Sequence, residues 1–247
     1  MDRLIYTAMS GARLGVVAQS VVANNIANAN TAGFRAQLAA YRAVPVSGEG
    51  LPTRAVVVES TPGSDFTPGA VQATGRDLDV AVQGRGWIAV RAPDGSEAYT
   101  RAGGLRTGPS GVLQTAAGLP VVGDGGTITL PPDNKVTIAT DGTVSATANS
   151  ARPAQTTPVG RIKLVLPDDA ALVRGDDGLF RLRNGEPASA DANVKLMPGA
   201  LEGSNVNVVE SMVGLITLAR QFEMQMKMLQ NAEANDRQAA QLLSLTR

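Results

Sequence analysis

The most restrictive feature of this 247-residue chain is an apolar seam towards its C-terminus. Met212, Leu215, Ala219, Phe222, Met226, Leu229, Ala240 and Leu243 keep a 3-4 spacing that fills eight of ten seam positions and breaks only at Glu233 and Asp236. No Gly or Pro falls between Leu215 and Arg247. Such a repeat predicts one long amphipathic helix carrying a narrow coiled-coil stripe. A second stripe opens the chain, where Ile5, Met9, Ala12, Val16, Ala23 and Ile26 follow a 4-3-4 rhythm interrupted by Gln19. That helix is expected from Leu4 to about Asn28. It should stop in the run from Asn24 to Gly33, because Asn tolerates left-handed backbone and Gly33 suits a terminal turn. A short isolated helix is marginal in water. Each stripe therefore needs a partner, either the other helix or other copies of the chain.

Between the helices the pattern changes to short β-type runs separated by Gly and Pro. Leu78 to Val82, Trp87 to Val90, Arg161 to Leu166 and Leu179 to Leu182 read as strands. Turn signals lie at Pro93-Asp94-Gly95, Asp141-Gly142 and Asp176-Asp177-Gly178. No segment here sustains a 3.6 period. The expected fold class is α+β, with paired N- and C-terminal amphipathic helices and an all-β middle domain inserted between them. The expected boundaries are an N-terminal helical half at 1–35, an extended connector at 36–77, a β-rich domain at 78–200 and a C-terminal helical half at 201–247.

Composition narrows the chemistry. The chain has no His and no Cys, which removes Ser-His-Asp and Cys-His catalysis, imidazole or thiolate metal sites and disulfides. Lys plus Arg and Asp plus Glu both number 22, so there is no general electrostatic pull on nucleic acid or anionic lipid. Aromatics are 3% of a chain that is 43% hydrophobic, so the core must be largely aliphatic. Asp77 and Asp79, two apart, would share a strand face, but adjacent acids before Gly read as solvated turns. Gly84-Arg85-Gly86 lacks the third Gly and following helix of a phosphate loop, and reads as a tight connection between strands. No catalytic residue, cofactor or metal is expected. The N-terminus has no uninterrupted apolar stretch followed by a small-residue cleavage site, so no cleaved signal peptide is expected. Met224 and Met228 lie off the C-terminal seam and widen its apolar surface, which favours contact with more than one neighbouring helix. Four Asn between Asn24 and Asn30 exceed what one helix cap needs, and their amides suit bridging between adjacent backbones.

Three motifs resemble the flagellar rod and hook axial protein family. They are Ala23-Asn24-Asn25-Ile26-Ala27-Asn28-Ala29-Asn30-Thr31-Ala32-Gly33-Phe34, the run from Leu78 to Trp87 followed by Tyr99-Thr100-Arg101-Ala102-Gly103, and Leu201-Glu202-Gly203-Ser204-Asn205-Val206-Asn207. The opening residues Met1 to Ala12 are most similar to the proximal-rod branch. The resemblance implies an inner tube domain of paired terminal helices with a β domain outside. It also implies a structural subunit that polymerises into the basal-body rod, a tubular drive shaft that transmits torque and serves as an export channel. The implied partners are other copies of the chain, other rod subunits and the flagellar type III export apparatus, with no nucleic acid and no small-molecule substrate. The implied location is the rod crossing the periplasm, reached without a cleaved signal. The assembly interface is expected at Ile5, Met9, Ala12, Val16, Asn24, Asn25, Ile26, Asn28, Asn30, Gly33 and Phe34. Its C-terminal half is expected at Asn205, Asn207, Met212, Leu215, Ala219, Phe222, Met226, Leu229 and Leu243. The competing readings are a distal-rod or hook subunit of the same family, an extracellular β-rich adhesin and, last, an enzyme acting on cell-wall glycan.

Overall fold

The computed structural model describes residues 2–45, 55–132, 134–148 and 156–244. Helix α1 spans Asp2–Ala27 and helix α2 spans Val208–Ser244. Strands fill the middle, so the class is α+β. The chain divides into two compact units on lines different from those expected. One unit holds α1, α2 and residues Ala36–Asp65; the other holds Asn30–Arg35 and Phe66–Asn205. The stretch expected as a connector is in part a long antiparallel hairpin, Gln37–Pro45 with Ala55–Ser64, which packs on α1. Its bulge between Leu38 and Ala40 and its Val-rich second arm are strand features that the Pro and Gly around them obscured.

In the helical unit α1 packs along α2. The buried apolar side chains of α1, among the described residues, are Ala8, Ala12 and Ala18. Gly11 lies against the Gln225 amide, where an added Cβ would stand 3.0 Å from its nitrogen. Small residues let the two backbones approach closely. From Leu215 onward the less exposed positions of α2 are Leu215, Leu218, Ala219, Phe222, Gln225, Leu229 and Ala232. Thus the packed seam keeps Leu215, Ala219, Phe222 and Leu229, widens to Leu218, and then runs through Gln225 and Ala232 instead of Met226 and Glu233. The shift by one residue leaves Glu233 exposed and paired with Arg237, which removes the break at 233. On α1, Met9 and Val16 are 54% and 51% exposed, because the Ala face rather than the larger side chains meets the partner helix.

The β unit is built from small antiparallel sheets. Its largest sheet has the order Leu164–Val165, Trp87–Arg91, Glu97–Thr100, Phe180–Leu182, Leu172–Arg174. A three-stranded sheet joins Asn134–Ile138, Thr143–Ala148 and Thr156–Arg161. The turns at Asp94-Gly95, Asp141-Gly142 and Asp177-Gly178 close hairpins as expected. The run from Arg161 to Leu166, expected as one strand, is divided. Thr156–Arg161 pairs in the three-stranded sheet, whereas Leu164–Val165 pairs with Trp87–Arg91. Ile162 and Leu164 both enter the aliphatic core, which also contains Ile88, Val90, Leu105, Leu113, Val121 and Leu196. Asp77 and Asp79 do not act together. Asp77 is exposed beside Lys135, while buried Asp79 accepts from Thr74 Oγ1 at 2.7 Å.

Nearly all the ring-on-ring packing lies in a second cluster. Trp87 and Phe180 have centroids 4.7 Å apart, and Phe66 meets Trp87 edge-on at 5.9 Å. Tyr99 belongs to this cluster; its hydroxyl accepts from Ala188 N at 2.6 Å and donates to Glu97 at 3.0 Å. Burial of the phenol pushes its pKa up to about 12. The ionised form is thus disfavoured in the folded chain relative to the unfolded one, where the value is 10.0. Stability from this group is complete below pH 10 and falls as pH rises towards 12. Unfolding followed by the fluorescence of Trp87, the sole Trp, should show that alkaline loss, and Tyr99→Phe should flatten it. An unchanged alkaline slope in the variant would contradict this account.

Candidate assembly site

Three segments far apart in sequence meet at one carboxylate. Glu202 ends the strand Ala200–Glu202, which pairs with Val71–Ala73. Its side chain is 1% exposed and lies between two guanidinium groups. Arg35 Nη2 donates to Oε1 at 2.6 Å and Arg101 Nη1 donates to Oε2 at 2.9 Å. Gly69 N adds a bond to Oε1 at 3.0 Å, and Gly33 N donates to the Glu202 carbonyl at 2.8 Å. Arg101 also donates to the Gly84 carbonyl at 2.7 Å and its guanidinium lies 5.4 Å from the Trp87 ring centroid. Burial lowers the Arg101 pKa, with Glu202 opposing that shift. Gly33 has a φ of +70°, and a Cβ there would stand 2.2 Å from the Arg101 carbonyl carbon. The backbone after α1 is therefore pressed onto the strand end that carries Arg101, and only Gly fits.

These contacts link all three sequence motifs inside the β unit. Arg35 follows the Asn-rich motif, Arg101 belongs to the Tyr-Thr-Arg motif, and Glu202 lies in the segment leading to α2. Sequence reading singled out Gly33 and Phe34 and passed over Arg35, Arg101 and Glu202 as site residues. The available signal was charge placed within motifs otherwise made of small and apolar residues.

The amides expected to bridge backbones make bonds within the chain. Buried Asn25 pairs twice with the backbone of one hairpin residue: Nδ2 donates to the Gln37 carbonyl at 2.9 Å, and Oδ1 accepts from Gln37 N at 2.8 Å. Asn28 Nδ2 donates to the Asn24 carbonyl at 2.9 Å, closing the end of α1. Asn205 Nδ2 donates to the Thr67 carbonyl at 3.0 Å. Asn207 caps α2, its Oδ1 accepting from Val209 N at 3.1 Å and Glu210 N at 3.3 Å. Asn30 is exposed, and Ile26 is half-buried. Phe34 is buried beneath Arg174, whose guanidinium lies 4.5 Å from its ring centroid.

The remaining expected interface residues divide by exposure. Ile5, Leu215, Ala219, Phe222 and Leu229 are partly covered and Ala12 is buried, whereas Met9, Val16, Met212 and Met226 are exposed. Leu243 lies in α2, but its side chain is outside the described set. Around α2, Val209, Met212, Val213, Ile216, Met224 and Met228 are also exposed. Apolar residues thus occur all round the first half of a helix that uses one side for α1. Among the described residues no helix is long and apolar enough to cross a membrane.

This combination defines an axial structural subunit: both ends of the chain share one helical unit, and a separate β unit is strapped together beside the points where the chain passes between them. Three family descriptions match in the same order. "Flagella basal body rod protein" covers residues 5–35, "Flagellar hook protein FlgE/F/G D1 domain" covers 81–146, and "Flagellar basal body rod FlgEFG protein C-terminal" covers 197–242. The flagellar basal-body rod proteins FlgF of Salmonella typhimurium and Escherichia coli are 50% and 51% identical to it, with all of each chain covered. FlgF of Caulobacter vibrioides is 36% identical with 98% of each chain covered. The chain belongs to the flagellar basal-body rod protein family, in the branch of these FlgF relatives, and is a structural subunit of that rod.

Removing one member of a buried ion cluster leaves the others charged and unpaired, at a cost of about 3–5 kcal/mol. Glu202→Ala should lower the stability read by Trp87 fluorescence by that amount. Replacing Glu202, Arg35 and Arg101 together with Met should cost far less, and equal losses would refute the pairing argument. In the helical unit, Asn25→Ala leaves the backbone N–H and C=O of Gln37 without their amide partner, worth about 1–3 kcal/mol. Its helical CD should melt earlier, with the Trp87 transition unmoved.

Proposed function

We propose that the chain polymerises in the proximal rod through its helical unit, forming a tubular shaft that transmits torque and leaves a channel for export. The observation that carries this reading is the apolar surface around the first half of α2. A helix that is apolar on every side is stable in water only when every side is covered. One side is occupied by α1, and exposed side chains such as Val213 and Ile216 remain. Burying each such side chain contributes about 1.5–3 kcal/mol, so several neighbours together can offset the ordering of long terminal helices. Met9, Val16, Met212 and Met226 are the expected residues assigned to contacts between subunits. Ile5, Ala12, Leu215, Phe222 and Leu229 act within the subunit by holding α1 to α2.

A repeated head-to-tail contact that does not close generates a helical tube. The work assigned to the chain is mechanical, with no catalytic step. The partners are further copies of the chain and the adjoining rod proteins. Delivery by the flagellar type III apparatus without signal cleavage fits a subunit that acts beyond the membrane.

Val213→Asp and Ile216→Asp place a charge on the outer face of α2 without touching the α1 seam. Both purified variants should retain the helical CD and the Trp87 unfolding midpoint of the parent. Both should be missing from purified basal bodies and fail to restore swimming in a strain lacking the gene. Normal swimming with both variants would sink this interface.

A further inference from the structure

The β unit holds one half-buried guanidinium, that of Arg174, for which the described residues supply no counter-charge. Arg174 ends the edge strand Leu172–Arg174. Its Nη1 donates to the Arg35 carbonyl at 2.8 Å, and its guanidinium covers the Phe34 ring and approaches that of Phe180 at 6.0 Å. No carboxylate pairs with it among the described residues, and burial alone lowers its pKa. Beside it, Arg35 and Arg101 share the single carboxylate of Glu202. Asp169, the other acid acting on Arg101, is bound by Arg85. Arg35 and Arg101 thus have one carboxylate between them, and Arg174, bound to the Arg35 backbone, has none among the described residues. Arg35 Nε, Arg35 Nη1 and Arg101 Nε are buried without a hydrogen-bond partner, a further sign that this region lacks acceptors.

An uncompensated cation withdrawn from water is costly unless an anion meets it. Arg174 is only half-buried, unlike Arg35, so it can be reached from outside. One N–H is held by the Arg35 carbonyl and one face by Phe34, which fixes the planar fork and presents its remaining donors. A fixed guanidinium fork matches the two oxygens of a carboxylate. We propose that Arg174 is a docking point for a carboxylate side chain of an adjoining rod subunit. The proposal rests on the assembly reading above and adds to it a contact made by the β unit. The neighbour supplies the counter-charge for Arg174, so the pair forms only on incorporation. The stack on Phe34, the last residue of the Asn-rich motif, connects that contact to the segment that leaves α1.

The test uses the full chain with Arg174→Gln and Arg174→Lys. The Gln variant removes the charge and keeps an amide donor for the Arg35 carbonyl; the Lys variant keeps the charge and loses the fork. The Trp87 unfolding midpoint of Arg174→Gln should be unchanged or higher, because an excess cation is gone. Its recovery in purified basal bodies should fall about tenfold or more, as expected when one partner of an interfacial charge pair is removed. Arg174→Lys should be intermediate in recovery. Wild-type recovery of the Gln variant overturns the proposal. So does a midpoint that falls in step with recovery, since the role of Arg174 is then internal. A wild-type midpoint raised by sodium phosphate but not in the Gln variant, with recovery intact, assigns the site to a diffusible anion and overturns it as well. Val213→Asp serves as the control: if that variant assembles normally, it is the helical interface that fails, whatever Arg174 does.

Discussion

The Glu202 carboxylate is the interaction on which the order of the β unit depends. A buried carboxylate is tolerated only where its oxygens are met by positive charge and N–H donors. Here those come from Arg35, Arg101 and Gly69, while Gly33 binds the backbone of the same residue. The donors belong to segments 33–35, 69 and 101, so the ion cluster can form only when all of them have arrived. Arg35 and Glu202 stand within a few residues of two of the four points where the chain passes between the units, so this one contact ties those two segments together. Local chain opening at either of them would have to break it.

The helical unit follows a different logic. Its internal seam is made on one side by Ala8, Ala12 and Gly11, residues that bring little apolar area but permit close approach. Leu215, Phe222 and Leu229 are partly covered, but Met9 and Val16 on α1 and Val213 and Ile216 on α2 are left outside. A self-sufficient helical pair would leave fewer bulky apolar residues exposed. This exposure suits a rod subunit, which must first exist as a separate chain and then be surrounded by others. Several exposed side chains on α2 are Met, whose flexible and polarisable chain adapts to unlike neighbours, a useful property where one subunit meets several kinds of partner.

Much of the architecture was legible in the sequence. The two terminal helices, the β character of the middle, and the turns at Asp94, Asp141 and Asp177 follow from periodicity and turn chemistry, which are local properties. The hairpin between Gln37 and Ser64 was not legible, because its pairing joins residues up to 27 apart and its turn-forming composition resembles a linker. The division of the Arg161–Leu166 run was hidden for a similar reason: a strand changes sheets where partners from elsewhere compete for it, and its own residues carry no mark of that. In the candidate site, Asn25 was recognisable as one of more amides than a helix end needs, and Asn207 as part of a family motif, yet their partners were not.

By itself the sequence determined the class of element at each end, the absence of His and Cys chemistry, and the motifs that the rod family shares. A heptad spacing states that a stripe exists, since 3.6 residues per turn bring those positions to one side. It cannot decide between Met226 and Gln225, because positions one apart are separated by only about 100° of helix and both lie near the stripe. That choice belongs to the shape of the partner, and beside the small-residue face of α1 it is Gln225 that is covered. Likewise nothing local to Arg35, Arg101 or Glu202 distinguishes them from solvated charges. Only the tertiary structure places them together out of water, where the low dielectric turns three unremarkable residues into the fastening of the fold.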